Sequence, residues 1–359
     1  MKTPSGFATI TGLAVLGSLL VDLPGFAGPS FSSSVSAFPS TPNLAYDHIS
    51  SALFAGRFVA ILCVALGYWI AEHSARAKAA MGWLIVIGLF HGILVWHGSL
   101  ISTLALTGLL AAGLLKISEK GLWTVAAGFA INTLFAVPVI VIALIVYHHT
   151  SLSADYDLGI IVNPFQPAEE LRVFSGGLFA EQVQFRVIYY GMMIAQSLIL
   201  APLLLPFVLL GIQLQRLPES VNRLWKPWLL ILASVLSFAA FIPVDTRTLI
   251  DLRSIWNLIL GPIVGISLLV VFLKRGWRIP FVENIGKMPI SIYILQSTLA
   301  AVFFYGFGFF GHSDPALWLL FVGFSSLICL AFASLWMSKF EYGPIEIAWK
   351  RLAKLSPTT

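Results

Sequence analysis

"LIVIGLFHGILVWHGSLISTLALTGLL", residues 84–110, decides the class of this protein. It holds two apolar runs joined by "WHGS" (96–99), with no alternation of apolar and polar residues. A half-buried strand would alternate, and so would a transmembrane barrel strand. Runs this long and this apolar fit helices that live in lipid. The junction is so short that the two runs must form a hairpin. Outward from it the chain has the same character. Of its 359 residues 58% are hydrophobic and 10% charged, with a mean hydropathy of +0.91. A soluble domain carries about a quarter charged residues, so there is too little polar surface here to clothe a water-soluble globule. The expected fold is all-α: a polytopic transmembrane helix bundle, with the lipid bilayer as its first partner.

Ten apolar stretches are long enough to be counted as spans, near 7–26, 52–71, 80–97, 99–115, 122–147, 187–213, 227–244, 254–273, 288–310 and 316–337. Pro138, Pro202 and Pro206 are natural kink sites. With the N-terminus inside, sixteen of the 21 lysines and arginines fall on inside segments. The exceptions are Arg57, Arg172, Arg186, Arg247 and Arg253. Such a bias places both termini in the cytoplasm, and a bacterial inner membrane is the natural setting. The net charge of +5 is explained by those loops and calls for no nucleic acid. Residues 1–27 also fit the pattern of a signal peptide. A membrane span is preferred, because the apolar run is long and Asp22 interrupts its end.

The transmembrane domain is read as residues 1–338, with long outer loops at 27–50 and 148–186, and the cytoplasmic tail as 339–359. In the second loop "AEELRVFSGGLFAEQVQFR" (168–186) suits short amphipathic pieces over the bundle. In the tail Ile345, Ala348, Trp349, Leu352 and Leu355 recur at helical spacing, while Lys350, Arg351 and Lys354 take another face. That pattern predicts an amphipathic helix at the membrane interface.

Polar groups inside the bilayer are costly and point to function. Arg57 and His91 each sit about six residues in from an outer helix end, or roughly 9 Å deep at the helical rise. A histidine there can take and return a proton near neutral pH. A guanidinium at the same depth can hold an anion or a developing oxyanion. Asp22, Glu181 and Asp245 are candidate partners for Arg57. Ser99 shares a helical face with His91, and Gln296 lies mid-span as a substrate contact or as interhelical glue. Cys63 and Cys329 read as small core hydrophobes, and no metal site is expected.

Several segments resemble the YeiB-like family of bacterial membrane proteins. "IGKMPISIYILQS" (285–297), "FFYGFGFFG" (303–311) and "YGPIEIAWKRL" (342–352) follow that family's C-terminal pattern in order. "AGRFVAILCVALGY" (55–68), "GLFHGILVWHGSLISTLALTG" (88–108) and "GGLFAEQVQFR" (176–186) are similar to its second span, histidine hairpin and outer loop. The resemblance implies a relation to membrane-embedded acyltransferases, which pass an acyl group from a cytoplasmic thioester to an acceptor across the membrane. On that pattern His91 is the hairpin histidine and Arg57 the second-span basic residue. Glu181 and Arg186 are the loop pair at the acceptor entrance, and acyl-CoA is the implied donor. Ala8 and Thr11 stand where the family has an Asp and an Arg–Gly pair, Ser99 where it has an Asp, and Leu104 where it has a Tyr. Three functions stay open: an acyltransferase using His91 and Arg57, a non-catalytic subunit of a membrane complex, and a transporter of a small or lipid-like molecule.

Overall fold

A computed structural model describes residues 4, 6–29, 56–128, 167–217, 252–312 and 314–354, and the regular structure among them is helical. The helices are α1 (Phe7–Ala27), α2 (Arg57–Glu72), α3 (Ala77–Leu94), α4 (Ile101–Gly113), α5 (Pro167–Gly176), α6 (Phe179–Arg216), α7 (Leu252–Arg275), α8 (Pro280–Lys287), α9 (Pro289–Ala301), α10 (Pro315–Met337) and α11 (Pro344–Leu352). A further helical stretch covers 119–128. Proline opens α8, α9, α10 and α11, where its missing N–H has no intrahelical acceptor to lose. At the head of α10, Asp314 also caps by accepting the Ala316 amide at 2.9 Å.

Five of the described helices are long and apolar enough to cross a membrane: α1, α3, α6, α9 with its continuation to Gly306, and α10. The protein is an integral membrane protein. In hydrocarbon the backbone must satisfy its own polar groups, which leaves the helix as the local solution. The ten-span count also drew on 122–147 and 227–244, which lie in whole or in part outside the described residues, as do the loop at 30–50 and Asp245. α6 runs for 38 residues, about 57 Å at the helical rise, so it exceeds the bilayer core. Its first turns, with Glu181 and Arg186, come from the segment expected as outer loop.

Small residues let the helices meet. Gly67 of α2 lies against the Val208 carbonyl of α6, and Gly211 of α6 against the Val64 carbonyl of α2. A β-carbon at either position would overlap backbone. Gly12 and Gly286 do the same between α1 and α8. Lipid gives apolar surfaces no reason to hide from one another, so close packing must supply the adhesion. The outward faces stay apolar, as Leu320, Phe324, Leu327 and Leu335 of α10 show.

The expected amphipathic tail helix is α11, and it is built into the bundle. Trp349 is 4% exposed. Its indole N–H donates to the Ala80 carbonyl at 2.6 Å, and its ring stacks on Trp69 at 4.3 Å between centroids. Glu346 is buried under the first turn of α9. It accepts the amides of Ile290 at 2.7 Å and Ser291 at 3.1 Å, together with the Ser291 hydroxyl. A carboxylate at a helix N-terminus meets unpaired N–H groups and the positive end of the dipole.

Two predictions follow from this packing. Gly67→Val or Gly211→Val should cost at least about 1–3 kcal/mol through overpacking, read as a lower melting temperature in detergent, whereas Gly113→Val, where a β-carbon meets open space, should leave it nearly unchanged. Burial pushes the Glu346 carboxyl above the usual glutamate range, against the hydrogen bonds from Ser291 and Ile290. The folded state therefore binds the proton more tightly than the unfolded chain. Stability should fall as pH rises from the ordinary glutamate value through the raised one, and Glu346→Gln should flatten that part of a melting-temperature profile.

Candidate functional site

The hairpin between α3 and α4 builds the site. The His91 carbonyl accepts the amides of both Val95 and Trp96, at 2.9 and 3.0 Å, which ends α3 and turns the chain. Ser99 then accepts the Ile101 amide at 3.4 Å, and α4 begins. The turn leaves the His91 side chain facing inward, 4% exposed. Neither of its ring nitrogens has a hydrogen-bond partner among the described residues. Leaving a buried polar atom unpaired costs about 1–3 kcal/mol, so an imidazole in this state calls for an explanation.

Phenols and hydroxyls surround it. The Tyr293 ring of α9 lies 5.5 Å from the imidazole, centroid to centroid, at 49°. Its hydroxyl accepts the Leu100 amide at 3.3 Å. The Tyr190 hydroxyl of α6 donates to the Gly88 carbonyl at 2.8 Å and lies 2.6 Å from Ser102 Oγ. One turn beyond Tyr293, Gln296 donates to the Val15 carbonyl and to Ser18 Oγ, both at 3.0 Å. It ties α9 to α1.

A cavity of about 740 Å3 reaches Tyr293, and His91 is not part of its lining. Small-molecule sites span about 300–1,000 Å3. Leu62, Leu66, Leu84, Leu100, Ile101 and Leu104 make its walls apolar, and Tyr293 belongs to its lining. The polar part of the lining includes Glu72, His73, Lys287, Glu341, Glu346 and Lys350. Those residues sit in the α2–α3 turn, at the end of α8, and in and before α11, which are segments assigned to the inside by the charge pattern.

A second polar cluster caps the hairpin. Arg186 is buried in spite of its charge. It donates to the Leu94 carbonyl and to Gln182 Oε1, each at 3.1 Å, and faces the rings of Tyr305, Phe174 and Phe179 at 5.2, 5.5 and 5.7 Å. Tyr189 donates to the buried Glu170 of α5 at 3.1 Å and stacks on His97 at 4.9 Å.

The structure thus places His91 near the end of α3 and Ser99 in the turn that follows it, with Gln296 one turn from Tyr293 and Arg186 bound to the last residue of α3. Glu181 and Arg186 do not pair. Glu181 accepts the Leu178 amide at the head of α6 and lies 3.6 Å from Arg172. Arg57 opens α2, buried, with its backbone against Gly265 of α7, and it has polar interactions of its own. Tyr293, Tyr190, Ser102 and Glu346 were not singled out from the sequence. The signal the sequence offered was that Tyr293, Ser102 and Glu346 fall inside the quoted segments 285–297, 88–108 and 342–352.

Residues 212–356 match the family described as "Protein of unknown function (DUF418)". The chain is 23% identical over 400 aligned positions to the uncharacterized protein YxaH of Bacillus subtilis (strain 168), covering 97% of this chain and 93% of that one. It is 31% identical over 80 residues to the uncharacterized protein YeiB of Escherichia coli (strain K12), a match that spans about a fifth of either chain. No solved structure matches. The resemblance to YeiB-like proteins read from the motifs is therefore supported by similarity to YeiB and YxaH, and residues 212–356 resemble a family of unknown function.

Proposed function

We propose that this protein is a membrane acyltransferase, with His91 as its general base and an acyl-CoA-type thioester as donor. One observation carries the reading: a buried imidazole with both nitrogens unpartnered packs against Tyr293, a residue that lines an apolar cavity. A helix tie would spend its nitrogens on neighbouring backbone or hydroxyls. Here they are kept for something that arrives.

The chemistry is balanced with groups of this chain. His91 takes the proton of an acceptor hydroxyl as the oxygen attacks the thioester carbonyl. The tetrahedral intermediate collapses, the C–S bond breaks, and the imidazolium returns the proton to the departing thiolate. Dry apolar walls strengthen every electrostatic contact made there. The charge pattern puts the cavity's polar end on the cytoplasmic face, where the donor is made, in a bacterial inner membrane with both termini inside. On this reading Ser99 and Gln296 shape the reacting end. Arg57 is the anion-binding or oxyanion residue, and Glu181 and Arg186 lie toward an extracytoplasmic acceptor.

The test uses purified protein in nanodiscs, labelled acetyl-CoA and longer acyl-CoAs, with thioester loss and protein labelling as readouts. Wild type should consume or become labelled by one of these donors, and His91→Ala should lose about 10²-fold or more. Equal turnover in His91→Ala would overturn the reading, as would folded wild type that neither binds nor consumes any donor.

A further inference from the structure

His73 also has a buried ring nitrogen left over, and unlike His91 it lines the cavity. It stands just past the end of α2. Its Nδ1 donates to the Trp69 carbonyl, one turn back, at 3.1 Å, which fixes the ring. Its Nε2 has no partner among the described residues. Two lysines join it from other elements. Trp69 stacks on His73 at 4.4 Å and on Trp349 at 4.3 Å between centroids, which sets α11 beside the end of α2. Lys350 follows Trp349, and its Nζ lies 3.3 Å from the centre of the Tyr342 ring. Glu346, one turn earlier on α11, accepts the amides of Ile290 and Ser291. That contact brings α11 to the junction of α8 and α9, where Lys287 stands. All three bases line the cavity.

Three acids line it too, but they are placed differently. Glu346 spends its carboxylate on α9, and Glu72 and Glu341 are exposed, where water and salt screen them. His73 and Lys350 are half-buried, so the groups that reach inward are basic. Beyond this mouth the walls are apolar. Along α2 the lining runs from His73 to Leu62, about 16 Å at the helical rise.

We infer that His73, Lys287 and Lys350 form a subsite for a phosphate head, carried by a slender molecule whose remainder lies in the apolar cavity. The two ammonium groups and the protonated imidazole donate to phosphate oxygens, and such charge-assisted bonds are the strong ones. The head has two possible sources: the nucleotide part of a coenzyme A thioester, or a monoacyl phospholipid. The first rests on the acyl-transfer reading, whereas the subsite itself does not.

The experiment measures binding without turnover, using the full chain in phosphatidylcholine nanodiscs, with melting temperatures to show that each variant is folded. The probes are labelled coenzyme A and labelled lysophosphatidic acid. Wild type should bind one of them, more weakly as salt rises. Lys350→Gln and His73→Gln should each weaken that binding about tenfold or more, and Lys287→Gln, at an exposed side chain, severalfold. Lys350→Arg should keep most of it. Glu72→Gln and Glu341→Gln should bind at least as tightly as wild type. If His73→Gln folds poorly, the lysine variants decide. Folded wild type that binds neither probe would overturn the inference, and so would affinities unchanged in the lysine variants. A loss in the glutamate variants instead would also overturn it, since that marks an amine head. Binding of coenzyme A without consumption of any acyl-CoA would sink the acyl-transfer reading and leave the subsite standing. Binding of lysophosphatidic acid alone, lost in the lysine variants, would support the subsite and assign it to a lipid.

Discussion

Hydrocarbon offers no partner to a backbone amide or carbonyl, and that constraint governs this protein before any side chain is considered. Each crossing segment must close its own hydrogen bonds, so it becomes a helix. The same solvent removes the usual reason for helices to associate, since a leucine is as comfortable against lipid as against protein. Adhesion has to come from close contact. It does so where glycine allows two backbones to touch, at Gly67 and Gly211 between α2 and α6 and at Gly12 and Gly286 between α1 and α8. The apolar outer face of α10 is the other side of the same rule.

Within that frame the buried polar groups act as cross-braces between helices. Gln296 joins α9 to α1, Tyr190 joins α6 to the α3–α4 hairpin, Glu346 joins α11 to α9, and Arg186 joins α6 to the end of α3. Each brace pairs a donor with an acceptor, as burial demands. His91 is set apart, because it sits among these braced helices with both nitrogens unspent. A rigid surround with an uncommitted group inside is how a site that binds or reacts is built. The cavity that reaches Tyr293 gives that group a route of supply.

Much of this was legible along the chain. The hairpin at 96–99 and the helices around it follow from apolar runs of spanning length and a junction too short for anything else. The tail helix follows from the spacing of Ile345, Trp349 and Leu352, and the prolines that open α8 to α11 follow from where an N–H can be spared. His91 stood out because an imidazole in an apolar run is costly. Other features were not legible. The spacing of the tail described a helix with an apolar face, yet whether that face meets lipid or the Trp69 ring depends on where α2 and α3 lie. Glu346 drew no notice from the sequence, because nothing near it marks the amides of Ile290 and Ser291 as its partners.

By itself the sequence determined the class, the helices and the presence of one expensive imidazole, since these depend on composition and on spacing within a few turns. Only the tertiary structure decided which polar groups meet. Gln296 ties to Val15 and Ser18, Glu181 sits beside Arg172, and Arg186 turns to aromatic rings and a helix-end carbonyl. The physical reason lies in the rotation of each helix about its own axis. A soluble helix shows its inward side as a stripe of apolar residues. A membrane helix that is apolar all round shows no such stripe. Its facing is set by where small residues let a neighbour approach, and that is a property of pairs of helices far apart in the chain.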